Sequence, residues 1–183
     1  MLMRLDLPHR YDVACVDEAP ADIGQPPFRY RPAHAADESG EGLLLEFRPQ
    51  SAVPWIGSFA CRTSDQSGLS MVISSPDPLI AFVIAGGEGY SVQVDFPGRW
   101  QPLPVSPVVF AEVIPEQTLV VLGSGNALAV YDPKGLVWFR RVVEDELKLR
   151  SISEELIHFS GVDTEAGKTV SLSAALRSGK EIE

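Results

Sequence analysis

Tyr131-Asp132-Pro133-Lys134-Gly135-Leu136-Val137-Trp138 is the stretch on which the fold turns. Asp132 occupies position i of a type I turn, Pro133 position i+1 and Gly135 position i+3, with an apolar run on each side. Proline presets φ for the first central position, and an aspartate side chain bonds the backbone two residues on. The segment therefore predicts a β-hairpin joining strands at 127–131 and 136–143.

The same rhythm continues outward from this hairpin. From Leu43 onward, short apolar stretches alternate with glycine, proline and aspartate, as antiparallel strands do. Further strands are predicted at 43–47, 57–62, 69–74, 79–85, 89–96, 107–113, 118–123, 147–152, 155–162 and 168–177. Two show a clear period of two. Tyr90, Val92, Val94 and Phe96 oppose Ser91, Gln93 and Asp95, while Val170, Leu172, Ala174 and Leu176 oppose Ser171, Ser173, Ala175 and Arg177. One face of each is expected to be buried and one wet. Gly123-Ser124-Gly125-Asn126 and Asp163 to Gly167 read as two more hairpin connections. The best helical segment is a turn or two around Val143 to Leu147, so helix content is expected to be low.

Residues 118–180, through Tyr131 to Trp138 and on to Arg177-Ser178-Gly179-Lys180, resemble a quinoprotein-type β-propeller blade in their aspartate, glycine and tryptophan pattern. The resemblance implies antiparallel blades of four strands. A closed propeller needs about four blades or more, and the chain has strands for three at most, with no convincing second copy of the pattern. The expected fold is all-β and mainly antiparallel, a sandwich or a bent two-sheet, partial-propeller arrangement with little helix.

A length of 183 residues fits one domain spanning 1–183. Within it, residues 18–42 hold four prolines and several carboxylates and read as a long loop, which either docks through Ile23, Phe28 and Tyr30 or stays free. The formal charge is −10, spread as −4, −3 and −3 over residues 1–42, 43–140 and 141–183. A field of that sign repels a phosphate backbone, so no nucleic acid is expected. The longest apolar run, Leu79 to Ala85, has seven residues where a membrane-spanning helix needs ~20, and charges and proline break up the first ten positions. A cytoplasmic protein away from membranes is expected, with Cys15 and Cys61 as free core thiols.

Motifs for chemistry do not assemble. His9, His34 and His158 lack paired-ligand spacing, so no metal or other cofactor is expected. His158 is expected to face away from Ile157 and Phe159. Gly123-Ser124-Gly125 joins two strands instead of leading into a helix, as a nucleophile elbow would. Gly86-Gly87-Glu88-Gly89 precedes a strand and carries an acid, so it reads as a turn and not as a phosphate cradle. Asp12 and Asp17 flank a strand and Glu144, Asp145 and Glu146 form a run, but proximity in sequence supplies no cleft. No catalytic residue is assigned, and an enzyme is the less favoured expectation.

Aromatic anchors are the remaining route to recognition. Trp55 after a proline, Tyr90 after the glycine loop, and the pair Arg99 and Trp100 in a proline-rich connection are the expected binding residues, Trp100 foremost. The leading functional expectation is an interaction protein whose acidity suits a basic protein partner, in the manner of an immunity protein or inhibitor. The alternative is an enzyme or small-molecule binder with a site built from distant residues. A homo-oligomer formed through strand edges is the third.

Overall fold

Alternating apolar residues and closely spaced turn formers leave the chain little choice but strands that bury their faces against other strands. The computed structural model describes residues 1–18, 25–32, 42–61, 69–163 and 167–182, and these form four sheets. The first sheet runs β2 (Tyr11–Cys15), β4 (Leu43–Pro49), β5 (Trp55–Phe59) and β3 (Phe28–Tyr30) in spatial order. The second runs β1 (Leu2–Arg4), β6 (Met71–Ser74), β7 (Ile80–Ala85), β8 (Glu88–Gln93) and β9 (Trp100–Pro102). The third is a meander of β10 (Phe110–Ile114), β11 (Leu119–Gly123), β12 (Ala127–Asp132) and β13 (Gly135–Arg141). The fourth, also a meander, holds β14 (Asp145–Ile152), β15 (Leu156–Asp163), β16 (Lys168–Ala175) and β17 (Glu181–Ile182). Pairing is antiparallel except for β1 with β6 and β3 with β5. The fold is all-β, as the sequence predicts.

Three apolar layers hold the sheets in a stack. Leu45, Phe47, Trp55 and Phe59 of the first sheet meet Val72, Val83, Tyr90 and Val92 of the second. Ile73, Phe82 and Ile84, on the other face of the second, meet Val120, Leu122 and Tyr131 of the third. Val121, Leu128, Val130 and Trp138, on the far side of the third, meet Ile157, Phe159, Ala174 and Leu176 of the fourth. The second and third sheets are thus buried on both faces. That corrects the expectation of a wet face on β8: Ser91, paired with Phe82 on the face that carries the second apolar layer, is buried, whereas Phe96, beyond the strand end, is exposed.

The Asp132 hairpin forms as expected. Asp132 pairs with Gly135, the Asp132 Oδ1 atom accepts the Lys134 N–H at 2.7 Å, and Gly135 takes φ 114°, which a side chain would resist. A register shift between Val130 and Tyr131 absorbs the turn into the ladder. Gly86 and Gly87 connect β7 to β8 at positive φ, again a turn.

Other expectations need correction. The segment from Val143 to Leu147 is not helical: β14 begins at Asp145, and Glu146 takes φ 52°. Val143 and Leu147 are both buried while Glu144, Asp145 and Glu146 are exposed, so two anchors of a crossing between sheets mimicked the four-residue period of a helix. Among the described residues the helical element is a single 3-10 turn, Pro115–Gln117. Cys15 is exposed because β2 lies at a sheet edge, and Cys61 is half-buried, so neither is a fully enclosed core thiol. Of the 18–42 loop, Phe28 and Tyr30 dock through β3, with Tyr30 stacked on Phe59 at 4.4 Å; Ile23 and His34 lie outside the described residues.

Candidate functional site

Of the four expected binding residues, two serve the interior. Trp55 is 1% exposed, stacks on Phe47 at 4.4 Å and donates its indole N–H to the Val94 carbonyl. Tyr90 is fully buried and donates its hydroxyl to the Ala60 carbonyl at 2.6 Å. Trp100 is half-buried, with its ring edge-on to Tyr30 at 5.6 Å and tilted against Tyr90 at 5.9 Å. Arg99 is exposed, with its guanidinium 5.2 Å from the centre of the exposed Phe96 ring. The structure gathers Trp55, Tyr90 and Trp100 into one aromatic layer between the first two sheets, and leaves Arg99 with Phe96 at its rim.

The residues weighed for chemistry stay apart. Asp12 and Asp17 are exposed on or beside the edge strand β2. His158 lies half-buried on the outer face of the fourth sheet, its Nδ1 atom 2.8 Å from the Ser173 hydroxyl. Glu88 is buried inside the glycine turn, where it accepts a hydrogen bond from Ser106. Among the described residues, no group of three or more metal-ligating side chains converges.

A concavity lies elsewhere, between the third and fourth sheets. A cleft of about 1280 Å³ opens between the end of β10 with its 3-10 turn and the facing ends of β14 and β16. Val113, Ile114, Leu149 and Ile152 give it apolar walls; Glu112, Glu116, Glu154 and Glu155 supply carboxylates, and Arg150 and Arg177 supply cations. Ile114 on β10 and Leu149 and Ile152 on β14 pack against the apolar layer between the third and fourth sheets, and the cleft opens beside them.

Several contacts set the cleft's shape. The Gln117 amide spans it, donating to the Glu154 carbonyl at 2.8 Å and accepting from Arg177 at 3.5 Å. Thr118, which closes the 3-10 turn, is held at φ 54°, a left-handed conformation that costs a β-branched residue about 1–2 kcal/mol. Glu112 is tied to Arg4 at 3.1 Å, and the Arg150 guanidinium donates to the Ser160 hydroxyl at 2.9 Å. Glu116, Glu154 and Glu155 are exposed and face solvent at the rim.

Sequence reasoning missed this site because no motif encodes it: the lining comes from three segments spread from Glu112 to Ser178. Glu154 and Glu155 lie where the strands predicted at 147–152 and 155–162 adjoin, and nothing in the sequence reading marked them. The chain matches no protein-family model, and a search of curated proteins finds no match to it either.

Proposed function

We propose that the protein is a cytoplasmic interaction module that takes an extended, basic segment of a partner protein into the cleft between its third and fourth sheets. The observation that carries this reading is the lining itself: apolar walls for alternate side chains under a rim of Glu116, Glu154 and Glu155. Small-molecule sites usually enclose about 300–1,000 Å³, and this cleft is both larger and open, which suits a length of polypeptide better. Arg150 and Arg177 supply partners for the segment's own carbonyls or for an occasional acid. The formal charge of −10 draws a basic partner in from a distance. The free thiols Cys15 and Cys61 suit a reducing compartment, and no helix among the described residues is long and apolar enough to cross a membrane.

A labelled peptide of alternating lysine and leucine, titrated with the protein and followed by fluorescence anisotropy, tests this. Binding is expected at low salt and is expected to weaken steeply as salt is raised. The double substitution Glu154→Lys and Glu155→Lys is expected to weaken it by ~10-fold, at ~0.5–1 kcal/mol for each exposed charge reversed. The same reversal at Asp12 and Asp17, outside the cleft, should have a much smaller effect. Equal losses in the two variants would show that bulk charge, not the cleft, is at work.

A further inference from the structure

In an antiparallel ladder, every second residue turns its N–H and C=O to one neighbouring strand, and the residues between turn theirs to the other side. The phase of that alternation can be followed through the third sheet. The Ser124 N–H donates to the Ala127 carbonyl at 2.9 Å, so these two residues form a bonded pair. By the register of β11 with β12, Val120 and Leu122 then face β12, while Leu119, Val121 and Gly123 face β10. The Gly123 carbonyl agrees, since it accepts the Val109 N–H at 2.8 Å. Phe110, Glu112 and Ile114 lie opposite Gly123, Val121 and Leu119, so they are the residues that bond β11. Ala111 and Val113 turn their backbone groups to the free edge of the sheet.

One of these outward groups already has a partner that is not a strand. Arg4, at the end of β1, donates from Nη1 to the Ala111 carbonyl at 3.2 Å and to the Glu112 carboxylate at 3.1 Å. Its guanidinium thus brings a backbone donor to this edge and a positive charge to Glu112. A basic residue of an added strand would bring the same pair of interactions, its main chain to the edge and its side chain to the acid lying opposite.

Two sheet edges border the cleft, β10 through Glu112, Val113 and Ile114, and β14 through Leu149 to Ile152. They are unequal as templates. Strand β14 shifts register against β15 between Asp145 and Lys148 and again between Leu149 and Ser151, whereas β10 pairs with β11 from Phe110 to Ile114 without a shift. A regular strand presents evenly placed bonding groups, and a bulged one does not. The faces of β10 also fix where an added strand would point its side chains. Phe110 and Ile114 pack on the layer shared with the fourth sheet, Ala111 and Val113 on the layer shared with the second. Partner residues opposite Glu112 and Ile114 therefore face the fourth sheet, the side on which Glu154 and Glu155 line the cleft.

On the reading that the cleft is the binding site, we propose that the partner's basic segment joins the third sheet as a strand on the free edge of β10. It bonds Ala111 and Val113 and displaces the Arg4 guanidinium from the Ala111 carbonyl and from Glu112. Main-chain bonds to β10 supply affinity that is independent of sequence. A lysine or arginine opposite Glu112 takes over the charge pairing of Arg4, which selects a basic segment. Arg4 competes for the edge that the partner uses.

Amide hydrogen exchange of the full chain, resolved by nuclear magnetic resonance with and without the alternating lysine and leucine peptide, tests this. The Ala111 and Val113 amides are expected to exchange ~10-fold or more slowly in the complex, and those of Leu149 and Ile152 to be unchanged. Two further peptides of the same sequence carry N-methyl groups, one on its lysine amides and the other on its leucine amides. Only one of them keeps the donors that face β10, so their affinities are expected to differ by ~10-fold or more. Arg4→Ala is expected to bind the unmethylated peptide several-fold more tightly than Arg10→Ala, which removes the same charge from an exposed position outside the cleft. Strand addition to β10 is overturned, with the cleft still standing as the site, if the peptide binds and any of three results appears. These are Ala111 and Val113 amides that ignore it or protection at Leu149 and Ile152 instead, methylated peptides that bind alike, and an Arg4→Ala chain that binds no tighter than Arg10→Ala. Failure of the unmethylated peptide to bind at all would overturn both the strand addition and the cleft.

Discussion

Tyr11, Tyr30, Tyr90 and Tyr131 are all the tyrosines of the chain, and burial pushes every phenol far above its ordinary value; for Tyr90 the Glu88 carboxylate adds to the effect. Three of them also donate hydrogen bonds to carbonyls, at Ile80, Pro97 and Ala60, which an ionised phenolate cannot do. The protonated form is the one the fold favours. Its contribution is complete below the ordinary tyrosine value of about 10 and is lost as pH climbs beyond it. Tyrosinate absorbance should therefore rise in step with unfolding on alkaline titration, and a separate rise that leaves circular dichroism unchanged would contradict this assignment. Trp55 makes a second point at the same scale. It combines a stacked partner, full burial and a satisfied indole N–H, so Trp55→Ala is expected to cost ~3–5 kcal/mol in denaturant unfolding. Its tryptophan and proline context, read from sequence as a recognition anchor, could not show that Phe28, Phe47 and Tyr30 would surround it.

Among the elements, the Asp132 hairpin was legible because its information is local: turn residues and flanking alternation all lie within a dozen positions. Its downstream partner was not. Trp138 on β13 reaches across to the fourth sheet, donates to the Leu176 carbonyl at 2.8 Å and leaves no room above Gly179, where a Cβ would come within 2.6 Å of the indole. Gly179 also takes φ 64°, so Gly179→Ala adds backbone strain to a clash. The substitution is expected to destabilise by at least ~1 kcal/mol and to shift the Trp138 emission, as a denaturant titration followed by tryptophan fluorescence would show. A neutral outcome would mean that the turn at 176–179 is not held against the third sheet. The four short edge strands escaped the sequence reading for another reason: two or three residues cannot express a period of two.

On the scale of the whole molecule, the cleft and the aromatic layer follow from how the sheets are stacked. Val121, Val130, Ile157 and Phe159 pack between the third and fourth sheets, and the cleft opens beside Ile114, Leu149 and Ile152 at the margin of that layer. Charge sorts in the same way. An overall −10 was evident from composition, but that Glu116, Glu154 and Glu155 would line one opening while Arg140 and Arg141 would end an apolar edge depends on which strands become neighbours. The expected salt response of the cleft therefore depends on the stacking of the sheets and not on composition alone.

By itself, the sequence determined that the chain is built from antiparallel strands with little helix, where most of those strands lie, and where the chain reverses at Asp132 to Gly135. Alternation and turn chemistry act between residues a few positions apart, so they survive in a linear reading. Only the tertiary structure decided that β8 is covered on both faces, that Val143 and Leu147 anchor a crossing and not a helix, that Trp55 and Tyr90 are core, and that distant strand ends frame a cleft. Each of those outcomes depends on which sheet lies against which, a choice made by contacts between segments far apart in the chain, and no local pattern records it.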